Sequence, residues 1–218
     1  MVLVIKSMAL LVRKVSQKFE STKNEVNLLK DHSEINVLLK ISEQGLRLVK
    51  LLLPCVQVEF PVYSIEGYYE IVKEMEEILM ILKGMVASTP HFLDKDSLSR
   101  KFRISVGTVT AKLAKQLSSS LLELLDYAKI DVSQVKEVYE EYSSVFLEQR
   151  KKFFHSGQKV DFQSKESLSE LQATYFFAFQ ITNLALRINS HQNKPLYVFS
   201  LYPFWEGFSF SYFLIFFI

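Results

Sequence analysis

A single cysteine, Cys55, stands in a chain of 218 residues. No intrachain disulfide can form, and no thiolate metal cluster; this usage fits a reducing compartment. Glycine and proline are few, at 6 and 5, which argues against a many-stranded fold, whose turns consume both, and favours long helices. Neither sign of charge dominates: 26 Lys and Arg stand against 24 Asp and Glu, a net +2. Net charge therefore gives no ground for a nucleic-acid partner. No G-x-G-x-x-G, P-loop or G-x-S-x-G motif occurs. Before residue 196 no apolar run is long enough to span a bilayer. The amino-terminal MVLVIKSMALLVRKV resembles a signal peptide only superficially, because Lys6 interrupts the apolar run and no small-residue cleavage site follows. These absences leave no catalytic residue, cofactor or metal ligand to assign, and an enzyme is not expected.

What is present is helical periodicity. Ile5, Met8, Leu11, Val12, Val15, Phe19, Val26 and Leu29 recur at steps of three and four, predicting one helix over residues 2 to 30 with Lys14, Gln17, Lys18, Glu20 and Lys23 on the opposite face. Asp31-His32-Ser33 reads as a break, with Ser33 capping a second helix that Pro54 stops. Cys55 follows in a short apolar connector, where a buried, inert thiol is expected. Ser64 caps a third helix, whose inner face reads Ile65, Tyr68, Tyr69, Val72, Met75, Leu79, Leu82, Met85 and Val86. A fourth helix, residues 98 to 128, sets Phe102, Val106, Leu113, Leu117 and Leu121 among the small residues Gly107, Ala111, Ala114, Ser118, Ser119 and Ser120. Small residues let neighbouring helices approach closely, so this helix should be central. Asp131 with Gln134, and Ser167 with Glu170, read as capping boxes opening the fifth and sixth helices. In the sixth, Leu168, Leu171, Tyr175, Phe176, Phe179, Leu184, Leu186 and Ile188 read as the apolar face. The expectation is an all-α bundle of about six long antiparallel helices over residues 1–195.

The polar residues offer little chemistry. His32, His91, His155 and His191 fall at predicted helix ends or loops, none at metal-ligand spacing, and read as solvated. The acidic run Glu70, Glu74, Glu76 and Glu77 lacks the Glu-x-x-His pattern of di-iron bundles and reads as a solvated face. Arg150, Lys151, Lys152, His155 and Lys159 form a basic patch near the end of the fifth helix; it either complements the helix dipole or touches anionic lipid. Residues 196–218 differ in kind. YVFSLYPFWEGFSFSYFLIFFI holds 11 aromatics with Pro203, Glu206 and Gly207 near its middle. Three readings stay open: a membrane anchor, which the central glutamate penalises; a surface-buried tail; or translated thymine-rich noncoding sequence.

One stretch resembles a known family. EFPVYSIEGYYEIVKEMEEILMILKGM looks like the cytosolic helical region of the fusaric-acid-resistance-like membrane proteins, in particular the fungal brefeldin A-sensitivity-type branch, with bacterial aromatic acid exporters as distant relatives. Phe60, Pro61, Tyr68, Ile71, Ile78, Leu79 and Leu82 carry the match. KFRISVGTVTAKLAKQLSSSLLELL and SLSELQATYFFAFQITNLALRI resemble later helices of that region. The resemblance implies the cytosolic helical portion of a membrane transporter-like protein for organic or aromatic anions, a truncated product without its membrane-spanning helices. It would be membrane-associated facing the cytosol, with 196–218 as a possible anchor, and its partners would be another copy of itself or the missing membrane helices. Such a fragment should leave an apolar stripe uncovered on the first or fourth helix. The alternative is a cytoplasmic helical adaptor or tethering protein that buries its stripes except for one groove holding a partner helix.

Overall fold

The computed structural model describes residues 1–20, 25–59, 66–92, 98–123, 132–155 and 165–190. Among them the fold is all-α. Six helices, α1 (Val2–Glu20), α2 (Glu25–Glu59), α3 (Glu66–Ser88), α4 (Leu98–Glu123), α5 (Val132–His155) and α6 (Lys165–Ser190), are joined by one 3₁₀ turn, Thr89–His91, which closes α3.

Pairs of touching residues fix the neighbours and their directions. Gly45 lies against Val4, Ser42 bonds Ser7 at 2.8 Å, and Glu34 meets Lys14 at 2.7 Å, so α2 runs antiparallel to α1. Lys50 with Glu76, Glu43 with Lys83 and His32 with Thr89 give the same sense to α2 and α3. Arg187 with Glu74, Gln180 over Gly84 and Ser169 with His91 do so for α3 and α6. Lys112 with Glu141, Gln116 with Gln134 and Phe102 with Phe146 pair α4 with α5. Helix α4 also packs on α1 and α6. Its small residues do what their size predicts: Gly107, Ala114, Ser118 and Ser120 are buried, and Gly107 lies under Glu20 of α1. One continuous core results, running from Val4, Met8 and Val12 of α1 through Ile78, Leu82 and Met85 of α3 and Val106, Leu113 and Leu117 of α4 to Phe177, Ile181 and Ile188 of α6.

Several sequence expectations are corrected. Helix α2 neither starts at Glu34 nor ends at Pro54: Asp31, His32, Ser33 and Pro54 all lie inside it. Weak local stop signals are outweighed by tertiary pairing, since His32, Glu34 and Ile35 contact other helices and Leu53 is buried beyond the break. Pro54 sits on the exposed side of the helix, where water can replace the N–H it withholds from the preceding turn. Cys55 is exposed on the same surface, not buried. Ser167 and Glu170 lie within α6, which begins at Lys165, so they form no capping box. Lys18, placed on the solvent side by its helical spacing, is buried. Tyr69 is exposed, whereas the rest of the described inner face of α3 is buried or half-buried as expected. Ser64, Ile65, Leu124, Asp131, His191 and residues 196–218 fall outside the described residues.

Candidate functional site

The buried charged residues Lys18, Arg103 and Glu170 lie at one end of the bundle, where the carboxyl end of α1, the turn after α3 and the amino-terminal halves of α4 and α6 meet. Arg103 of α4 and Glu170 of α6 form an ion pair at 2.5 Å, with both side chains at most 3% exposed. A second guanidinium nitrogen of Arg103 donates to the Phe19 carbonyl at 3.4 Å, where α1 ends and its last carbonyls lack helical partners. The guanidinium lies 4.7 Å from the centroid of the Phe92 ring, a cation–π arrangement strengthened by exclusion of water. Phe19 and Phe177 stack at 4.3 Å, and Phe92 closes on both edge-on at 5.5 and 5.9 Å.

The neighbouring hydroxyls extend this junction. Thr89 donates to the Val86 carbonyl at 2.8 Å, so its contact with His32 Nδ1 at 3.4 Å has the imidazole as donor. Burial, and secondarily the Lys18 charge, hold His32 below its ordinary pKa of 6.5. Ser169 meets His91 at 3.0 Å, and Thr174 donates to the Glu170 carbonyl at 2.8 Å. Chemically this assembly is a lock. The carboxylate and guanidinium neutralise one another, are shielded by three phenylalanines, and offer no open face to a substrate. Four elements are tied together at one point.

The surface carries the remaining candidates. On α6, Leu168, Phe176, Phe179 and Leu186 are 37%, 45%, 58% and 50% exposed. Their spacing puts them on one outer face, opposite the buried Ala173, Phe177, Ile181, Leu184 and Ala185. Leu168, Phe176, Phe179 and Leu186, expected on the inward face of the sixth helix, lie outside because α6 carries two apolar stripes. Between Leu168 and Leu186 the only charged residue is the buried Glu170; the outer face is bordered by Gln172, Gln180 and Asn183. A second apolar surface lies on α1 and α2, where Leu3, Leu10, Val37, Leu48, Leu51, Leu52 and Val58 are all exposed. On α1 the exposed large apolar side chains are Val2, Leu3 and Leu10, with Lys6 exposed between the two leucines. Among its described side chains, helix α4 exposes one large apolar residue, Ile104.

The described residues among those singled out from sequence are not brought together into a site. Ile78, Leu79 and Leu82 are core residues of α3, Ile71 packs against that core, and Tyr68 is half-buried. Phe60 and Pro61 lie outside the described residues. Of the basic patch, Lys151 is exposed, Lys152 is engaged by Glu148 one turn away at 2.6 Å, and Arg150 lies 5.8 Å from the Tyr175 ring. Lys159 lies outside the described residues. The glutamates of α3 are not simply a solvated face, for Arg187 of α6 binds Glu74 and, at 2.5 Å, Glu77. Nor are the histidines all solvated, since His32 is half-buried inside α2.

Among the described residues no group of three or more His, Cys, Asp or Glu side chains can hold a metal ion. No described helix is long and apolar enough to cross a membrane. Comparison with protein-family models, with curated proteins and with solved structures finds no match for this chain.

Proposed function

We propose that this chain is the non-catalytic helical portion of a membrane transporter-like protein, facing the cytosol, and that it works by pairing with a second copy through the outer face of α6. The observation that carries the pairing is the neutral apolar stripe Leu168, Phe176, Phe179 and Leu186. Burying exposed apolar side chains is the main driving force for association. A two-fold contact sets a surface against itself, and with no exposed charge among the described residues between Leu168 and Leu186, two copies of α6 meet there without like charges opposed. The narrower part of the reading rests on the resemblance through Tyr68, Ile71, Ile78, Leu79 and Leu82. On it, organic or aromatic anions would be moved by membrane-spanning helices with which this bundle assembles, and no residue described here would contact them. The adaptor reading uses the same face of α6 for a helix of another protein.

Cysteine cross-linking separates these readings. In a Cys55→Ser background, Phe179→Cys should give a disulfide-linked dimer on mild oxidation, because the middle of an antiparallel α6 pair brings the two positions close. Leu48→Cys on α2 should not. A Phe179→Cys protein that stays monomeric under the same oxidation would remove the second copy and leave the adaptor. Cross-linking through Leu48→Cys alone would assign self-association to the wrong face.

A further inference from the structure

The outer surface of α1 and α2 differs from that of α6 in the charges around it. Val4 against Gly45 and Ser7 against Ser42 fix the register. In that register Leu3 and Leu10 of α1 share one outer surface with Leu48, Leu51 and Leu52 of α2, and Val58 continues it. Four exposed cations, Lys6 and Arg13 on α1 and Lys40 and Arg47 on α2, border these leucines and form no ion pair with a described residue. Other charged side chains of this part of the bundle pair with one another, Lys14 with Glu34, Glu43 with Lys83 and Lys50 with Glu76, and Lys18 is buried. Among the described side chains of α1 and α2 no carboxylate offsets the four cations. Glu34 and Glu43 are held in those pairs, and Glu20 is turned toward Gly107 of α4. The exposed position between Lys40 and Arg47 on this face is the neutral Gln44. An apolar surface bordered by four such cations is complementary to an anionic plane with an apolar interior. We propose that α1 and α2 form a peripheral membrane site, with their exposed leucines in the headgroup–acyl boundary and Lys6, Arg13, Lys40 and Arg47 on anionic lipid headgroups.

Three physical points favour a lipid surface over other occupants. Long basic side chains bury their stems along apolar surface while their charged ends stay at the polar boundary, as an interfacial helix requires. A second copy is disfavoured, because a two-fold pairing of α2 about Leu48 sets Arg47 beside its own counterpart. Lipid contact at the end of α5 is weaker in charge, because Lys152 is already held by Glu148. The site does not depend on whether α6 pairs two copies.

Vesicle flotation of the full chain tests this. Vesicles of phosphatidylcholine alone are compared with vesicles containing about one-third phosphatidylserine, at low and high salt. The chain should float with the anionic vesicles and be released by salt. Lys40→Gln with Arg47→Gln should weaken that binding about thirtyfold, at about 1 kcal/mol for each cation near an anionic surface. Gln44→Lys should strengthen it, Gln44→Glu should weaken it, and Phe179→Asp should leave it unchanged. Residues 196–218 contain no Lys or Arg, so they add no attraction specific to anionic vesicles. A chain that ignores anionic lipid overturns the proposal, as does binding unchanged by Lys40→Gln with Arg47→Gln. Binding lost instead with Arg150→Gln and Lys151→Gln moves the site to α5. A changed molar mass in the Lys40→Gln, Arg47→Gln protein without lipid makes the face a protein interface and likewise overturns it.

Discussion

The outer face of α6 and the outer face of α1 and α2 look alike in hydropathy and differ in charge. Both expose large apolar side chains at helical spacing, Phe176, Phe179 and Leu186 on one, Leu3, Leu48 and Leu51 on the other. The α6 face has glutamine and asparagine at its borders; the α1–α2 face has lysine and arginine. Hydropathy alone would assign both to the same kind of partner. Charge separates them, because like charges oppose a second copy at Arg47 and nothing does so at Phe179. The two faces are also anchored differently. Helix α6 is held to α4 by a buried ion pair, whereas α1 and α2 are held by small residues, Ser7, Ser42 and Gly45, that let the backbones approach.

Breaking the anchors should give the largest effects. Arg103→Met removes the guanidinium and leaves Glu170 buried without its counter-ion, while Glu170 Oε2 already has no hydrogen-bond partner. Loss of one partner from a buried pair costs about 3–5 kcal/mol, to be read from the urea midpoint. Adding Glu170→Leu should recover much of that loss, since apolar replacements of a buried pair are often tolerated. The α6 face should be disturbed more than the α1–α2 face in hydrogen exchange of the single variant.

The counterpart on α1 and α2 is Gly45→Ala. An added Cβ would stand 2.6 Å from Val4 Cγ2, and Val4 is β-branched with little freedom to turn away. Overpacking of this kind costs about 1–3 kcal/mol, offset in part by the better helix propensity of alanine, about 1 kcal/mol. A net loss of stability should follow, and Val4→Ala should relieve it. Gly84→Ala provides the contrast, because the group it meets is the flexible end of Gln180, 2.8 Å away. That variant should be neutral or slightly more stable by the same assay.

Changes on the two faces themselves should leave folding nearly untouched. Phe179→Asp and Leu48→Asp each alter an exposed side chain and should shift stability by less than about 0.5 kcal/mol. They should nonetheless separate the faces in function, the first abolishing self-association and the second weakening lipid binding.

The smallest effect concerns pH. His32 is held below its ordinary pKa by burial and by Lys18, so between its folded value and 6.5 the unfolded chain binds the proton more readily. Stability is therefore full above pH 6.5 and is lost as pH falls toward the folded pKa of His32. His32→Gln should flatten that part of a thermal-melting profile. A loss of stability on raising the pH through the same range would reverse the sign.

The all-α class and the positions of α3, α4 and α5 were legible from apolar spacing, because those helices bury one clear stripe each. The position of α6 was legible too, but not its inward face, since it carries two apolar stripes and only packing on α3, α4 and α5 decides which is inside. The extent of α2 was hidden for a related reason: Asp31, Ser33 and Pro54 signal locally for a stop, while Lys14, Thr89 and Glu76 hold the helix from other elements. The lock at Arg103 and Glu170 had no signal in sequence. The two residues are 67 positions apart, and Glu170 looked like half of a capping box.

The measurement that bears most directly on the two faces is the molar mass of the chain in solution by light scattering, for the wild type, Phe179→Asp and Leu48→Asp. A dimer in the wild type and in Leu48→Asp, with a monomer in Phe179→Asp, is the predicted result. A wild-type monomer at about 100 μM, well above the micromolar Kd of weak specific pairs, would contradict it. So would a dimer that survives Phe179→Asp and is lost in Leu48→Asp.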